Sequence, residues 1–598
     1  MKALAVVAAA LFILSLVPIA MVAPYVRAAG DDLNYSAGVH RALQQGGGLS
    51  ELLSAVSATV KNTWYSWQGT WSSVALFSLQ PGIWGEKWYP LTVVIALLCV
   101  LGGTWYFLHV AGKRKGIGLA PRCVISCLTG ILLIQYMPNM QCGIFWWTSV
   151  AHYCIPYGVT LVCMGWSLCW LDTGKKRYLP AICLGMSYLG GAGYPEVVLG
   201  AVWTFLLIVY ELRGRAAGTF CKILHREKRT DVSNGAISNT AVSDESVSNI
   251  TTANTARNAA AYRGLWLLLP FLLEMAGFAV SAAAPGNKNR GGESFGFSMG
   301  KVCWTLTACV KEGIAETLRY CIKVRPLLPA LLMIVLILVL CRKRTAGIQS
   351  GGQSNSQSRI QLNFQSSVPL SVRPTVRSWP SDIAAVLAAG FVICIVRAPV
   401  LYAGTDASGG VPDSYWFITL TALIWLLETL LMPQEKAAEQ LEQLSQERPL
   451  QENPERACEA PYADQPESLQ RTEAVRMPNA ARDMSTDKAE KRDILCKVGI
   501  VGIAAVLFLL SRHIIGGTVD YTCVQFIQSG ALEDYHNQME EWLEILHDPE
   551  ITNAELPAMN NEQGPFMLMV PLDDAAAWSN SVYMNYYGKE SVICVPRQ

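Results

Sequence analysis

Apolar runs of about twenty residues recur along this chain, and a run of that length constrains structure more tightly than any short motif. A helix that crosses about 30 Å of hydrocarbon needs about 20 residues, and it pairs every backbone N–H and C=O within itself. Candidate spans lie near 3–23, 91–112, 119–137, 144–170, 178–194, 196–212, 264–284, 326–341, 381–401, 414–432 and 496–513. They predict an all-α polytopic membrane protein with about eleven transmembrane helices. The first run reads as an uncleaved anchor. It exceeds the about 7–15 apolar residues of a signal-peptide core, and Met21-Val22-Ala23 makes a poor cleavage site.

Composition agrees with lipid as the solvent. Of 598 residues, 52% are hydrophobic and 16% charged, against about 25% charged in ordinary soluble domains. The formal net charge of +1 leaves no basic surplus to neutralise phosphates, which argues against a nucleic-acid partner. Most of the 18 cysteines fall inside apolar runs, where cysteine packs as a small hydrophobe. No CxxC pair or zinc-type Cys/His spacing occurs, so no metal ligands are assigned.

Positive charge sets the expected orientation. Lys113-Arg114-Lys115, Lys175-Lys176-Arg177 and Arg342-Lys343-Arg344 all face the cytoplasm if the N-terminus is inside. The polar loops 213–262, 342–380 and 433–493 share that side and read as linkers too poor in apolar residues to form a core. An odd number of spans puts the C-terminus outside. The expected divisions are a transmembrane core over 1–513 and a C-terminal extracytoplasmic α/β domain over 514–598. Within that domain Leu532, Tyr535, Met539, Trp542, Leu543 and Leu546 share one helical face. Phe566–Val570 and Ser591–Val595 read as short strands. Cys523 and Cys594 would share the oxidising side, and sequence alone does not bring them within bridging range.

The outer face carries the candidate chemistry. The first outer loop, 24–90, opens with Asp31-Asp32, and adjacent carboxylates at a membrane boundary need water, a cation or a reacting partner. Leu49, Leu52, Leu53, Val56 and Val60 then recur at the spacing of an interfacial helix, followed by the aromatic cluster Trp64 to Trp71, which includes Trp67-Gln68. Further outer turns bring Glu196 after a Gly-rich stretch, and Lys288 and Arg290 after Pro285-Gly286-Asn287. His152 and Arg397 lie near the outer ends of their spans. Carboxylates that take a hydroxyl proton, beside cations that hold a phosphate, make a coherent set.

The Asp-Asp loop, Trp67-Gln68-Gly69-Thr70, the Gly/Pro-Glu turn, Pro285-Gly286-Asn287, Ala577-Trp578-Ser579-Asn580 and Tyr586-Tyr587-Gly588 resemble an uncharacterised family of bacterial polytopic proteins. That family in turn resembles the GT-C-type, glucosyltransferase-like glycosyltransferases. The resemblance implies a bacterial cytoplasmic-membrane enzyme, embedded in membrane lipid, that moves a sugar from a polyprenyl-phosphate donor to an extracytoplasmic glycan or lipid acceptor, with inversion. It implies Asp31 or Asp32 as catalytic base. Lys288, Arg290 or Arg397 would hold the lipid phosphate, with Glu196, His152, Trp67 and Gln68 lining the substrate site. The adjacent Asp-Asp differs from the spaced acidic pattern of many GT-C members, which leaves open which aspartate acts and whether a divalent cation serves as cofactor. The alternatives are a transporter or flippase for a lipid-linked or polar substrate, and a non-catalytic polysaccharide-assembly protein.

Overall fold

A computed structural model describes residues 1–230, 263–291, 298–354, 379–432 and 516–597, apart from short gaps, with side chains omitted at the ends of the longest helices. Among these residues seven helices are long and apolar enough to cross a membrane: Lys2–Tyr25, Glu86–Arg114, Trp147–Thr173, Tyr194–Leu212, Arg263–Ala282, Ser381–Ala403 and Val411–Leu431. Met299–Lys323 and Leu327–Arg342, bent by 93°, make an eighth if they count as one span. The protein is a multi-pass helical membrane protein. Two expected spans are shorter apolar helices, Leu119–Gln135 and Tyr178–Leu189. The expected span at 496–513 lies almost wholly outside the described residues, as does most of the three polar loops, but 213–230 and 342–354, expected as linkers, continue the helices Tyr194–Thr230 and Leu327–Ser354.

Glycine allows a close helix crossing. A Cβ on Gly103 would lie 2.8 Å from the Gly158 backbone, so the Glu86–Arg114 and Trp147–Thr173 helices meet main chain to main chain. At the opposite end from the Asp-Asp loop, Lys115 pairs with the buried Glu428 at 3.4 Å and Arg114 with Asp172 at 3.0 Å. The basic cluster at 113–115 thus serves in part to bind helices together.

The segment after α1 (Lys2–Val22) folds back as three helices: α2 (Asp31–Gln44), α3 (Leu49–Ser66) and α4 (Trp71–Phe77). The helix expected over these residues is α3. It packs against α2 and α4 and leaves Leu49 and Leu53 exposed.

The C-terminal residues contain the Val519–Gln528, Ala531–His547 and Trp578–Tyr587 helices and two strands. All six residues of the apolar face expected on Ala531–His547 are buried. The strands are β1 (Asn553–Pro557) and β2 (Ser591–Val595), paired in parallel from Asn553↔Ser591 to Pro557↔Val595. Of the strand expected at 566–570, the described residues Phe566, Met569 and Val570 are not in one, and the other two lie outside the described residues. Phe566 is instead buried against the rings of Phe145, Phe526 and Tyr535, and filling that aromatic pocket outweighs a strand-like local composition. Cys523 and Cys594 are both free thiols.

Candidate functional site

The site begins at the left-handed Gly30, φ +54°, which lets the chain turn into α2; a Cβ there would also strike Met569 at 2.6 Å. The two aspartates that follow occupy the first helical turn and have opposite surroundings. Asp32 is fully buried. One oxygen accepts the Tyr89 hydroxyl, and the other accepts Thr148 N–H at 2.7 Å and Thr148 Oγ1 at 2.6 Å.

These bonds have a specific cause. The Trp147 helix starts after an extended Trp146 and has no cap from its own side chains, so its first N–H groups need outside acceptors. Tyr89 Oη accepts Trp147 N–H at 3.2 Å, and Asp32 takes the next N–H. Asp32 therefore caps a helix 116 residues away in sequence, through a carboxylate placed where the helix dipole favours it. Burial pushes its pKa up to about 7, against the lowering effect of the Thr148 and Tyr89 bonds.

Asp31 is only partly buried. Burial pushes its pKa up to about 6, and the Arg290 guanidinium opposes the rise. The field of Arg290 also reaches Tyr35, His152, Tyr153 and Tyr194. Its own position is fixed by a hydrogen bond to Gln68 Oε1 and by the Trp67 ring, 5.6 Å away.

Three turns interlock to hold it. Gly69 N–H donates to Asn287 Oδ1 at 3.0 Å, and Asn289 Nδ2 donates to the Ser66 carbonyl at 3.0 Å. A Cβ on Gly286 would lie 2.4 Å from the Trp67 amide nitrogen. Ser72 and Ser73 donate their N–H groups to the Gly191 carbonyl, and Ser72 Oγ donates to the Tyr188 carbonyl at 2.7 Å. The Trp67–Gln68–Gly69–Thr70 turn is thus the keystone between the Gly-rich and Pro-Gly-Asn turns.

Of the residues expected from sequence, Asp31, Asp32, Trp67, Gln68, His152 and Arg290 converge here. Lys288 is exposed on the same turn. Glu196 is buried and accepts Ser414 Oγ at 2.5 Å, tying two spans together. Arg397, expected at the outer phosphate site, is turned into the bundle. It is 2% exposed, donates to the Ile393 carbonyl and lies 4.6 Å from the Tyr415 ring centroid. Tyr89, Thr148 and Tyr194 also belong to the site, as does Tyr153 next to His152; hydroxyl residues in or beside apolar runs carry little local signal. Asp413, likewise unforeseen, is buried and accepts Asn139 N–H at 2.8 Å.

Two π-helical turns flank the site, Gln141–Phe145 and Val150–Cys154, an irregularity that occurs often at functional positions. Among the described residues no three His, Cys, Asp or Glu side chains are grouped to hold a metal ion. With the Asp32 oxygens taken by donors, Asp31 is the one carboxylate of the pair able to face a cation. No known protein family, no curated protein and no solved structure matches the chain.

Proposed function

We propose that the protein is a GT-C-like glycosyltransferase of the bacterial cytoplasmic membrane, using a polyprenyl-phosphate sugar and an extracytoplasmic glycan or lipid acceptor. In this reading the Asp-Asp loop and the C-terminal domain face outward and the N-terminus lies inside. The observation that carries it is Asp31. It is a half-buried carboxyl at the membrane boundary with a pKa raised to about 6 and a guanidinium beside it, close to what a general base needs at neutral pH. The acceptor hydroxyl would attack the anomeric carbon and pass its proton to Asp31. The bond from that carbon to the phosphate oxygen would break, and the lipid phosphate would leave with the electron pair. Arg290 would meet the leaving phosphate with charge-assisted hydrogen bonds. Asp32 would shape the site without touching substrate.

Intramembrane carboxylates favour a second reading, a transporter. Both Glu274 oxygens are buried without a hydrogen-bond partner among the described residues, and the carboxyl packs where a Gly200 Cβ would lie; such groups mark ion or proton paths in transporters.

The test is transfer by purified protein in lipid from a polyprenyl-phosphate sugar to cell-envelope acceptor. Asp31→Asn should lower the rate about 10²–10⁴-fold with donor binding intact. A wild-type rate in that variant removes Asp31 as the base. Acid-driven substrate uptake without transfer would establish the transporter instead.

A further inference from the structure

The helix that begins with the two aspartates ends against the C-terminal unit, and two histidines meet there. α2 packs along the Trp578–Tyr587 helix. His40 lies flat on the Tyr586 ring, with centroids 4.1 Å apart and planes at 10°. His547, from the Ala531–His547 helix, meets Tyr587 edge-on at 5.2 Å. The two tyrosines touch each other at 5.0 Å, so the rings form one continuous aromatic block with a histidine on either side.

The groups facing this block come from every element around it. Gln44 Nε2 lies 2.9 Å from His40 Nε2, and the Ile83 carbonyl favours a charged His40 ring. Gln80 donates to Tyr586 Oη at 3.3 Å, and Tyr587 donates to Glu86 at 3.3 Å. Lys589, whose ammonium donates to the Asp548 and Ile551 carbonyls, acts on His547 as a like charge. Further out, Arg27 pairs with Glu540 at 3.1 Å, and His536 lies 3.7 Å from the same carboxylate.

We propose that His40 and His547 form an acid-sensitive clasp, which holds the C-terminal unit on α2 while both rings are neutral and releases it as the bathing compartment acidifies. Burial is the larger cause disfavouring the charged ring at both positions; the two histidines also repel when protonated, and Lys589 adds to this at His547. A docked pKa below the free value means that contact strength is complete above the free value and is lost as pH falls below it. The window therefore lies below about pH 6.5, the ordinary histidine value. Asp31 and Asp32, at the far end of α2, have raised pKa values and act with the opposite sign.

The clasp is tested by hydrogen–deuterium exchange of the Trp578–Tyr587 amides in the full chain, at about pH 7.5 and about pH 5.5, corrected for chemical exchange. A ring that stays neutral when docked and has an ordinary pKa when free weakens docking up to about tenfold over that interval. Protection should fall by up to that factor for each histidine. In His40→Phe and His547→Phe, which keep aromatic contact and cannot titrate, each share of the fall should disappear. Unchanged protection in the wild type overturns the proposal. So does an undiminished fall in the double Phe variant.

Discussion

Replacing Asp32 separates capping from catalysis, because Asn and Ala at this position should behave in opposite ways. Ala leaves Thr148 N–H and Thr148 Oγ1 without their acceptor and the Tyr89 hydroxyl with only the longer bond to the Phe145 carbonyl at 3.4 Å. Each stranded buried donor costs roughly 1–3 kcal/mol. Against this stands relief from holding a charge in the interior. A rise from 3.8 to about 7 amounts to about 4 kcal/mol when the group is ionised. The donors outweigh the relief by up to a few kcal/mol at neutral pH. Below pH 7, where Asp32 is already neutral, less charge burden remains to relieve and the cost of Ala grows. Asn retains an oxygen for Thr148 and turns its amide toward Tyr89, whose hydroxyl hydrogen can swing to the Phe145 carbonyl at 3.4 Å. It should come within about 1 kcal/mol of the wild type, losing charge-assisted bonds and gaining freedom from the buried charge.

The sign with pH follows from the raised pKa. The charge burden is complete above about pH 7 and fades as pH falls toward 3.8, so Asp32 adds to wild-type stability on mild acidification and that share of the rise is lost in Asp32→Asn. Thermal unfolding in detergent across this range, alongside transfer activity, reads both effects. The reasoning is refuted if Asp32→Asn loses transfer while its unfolding temperature stays at the wild-type value, since Asp32 would then be the base.

The remaining predictions concern Arg290 and the turn that holds it. Wild-type transfer should rise with pH through about 6 as Asp31 ionises; Arg290→Gln removes the cation that lowers this pKa, so the acid limb should move to higher pH, as a rate profile would show. Gly69→Ala should displace the keystone turn, because the added Cβ would fall 1.8 Å from the Ser281 carbonyl oxygen. It should reduce transfer as severely as loss of Arg290 itself, and an unchanged rate would mean that the turn does not position the cation.

Much of the scaffold was legible because hydropathy reports burial in lipid directly, with no need to know partners. The same holds for Ala531–His547, where Leu532, Tyr535, Met539, Trp542, Leu543 and Leu546 repeat at helical spacing over four turns. The site was legible only where charge interrupts the pattern, as at Asp31, Asp32 and Arg290. Tyr89 and Thr148 acquire their roles from a carboxylate 57 and 116 residues away, a relation that no local window contains. Arg397 misled because a cation near the end of a span normally reaches for water, whereas here Tyr415 and the Ile393 carbonyl draw it inward. β1 escaped notice because Asn-Ala-Glu-Leu-Pro is short and becomes a strand only when β2 arrives beside it.

The π turn at Val150–Cys154 has a bearing on how this stretch tolerates insertions and deletions. A π turn holds one residue more than the α-helical turn it replaces, and one residue is about 100° of rotation about the helix axis. Removing any one of those five residues would make Trp147–Thr173 a regular helix. With the helix anchored from Gly158 onward, everything before the deletion would then swing by about that angle. Thr148 would rotate away from Asp32, and His152 from Phe77, although every apolar residue remained in place and the hydropathy profile hardly changed. The phase of this one helix, rather than its greasiness, is what keeps the floor of the site in register with its wall.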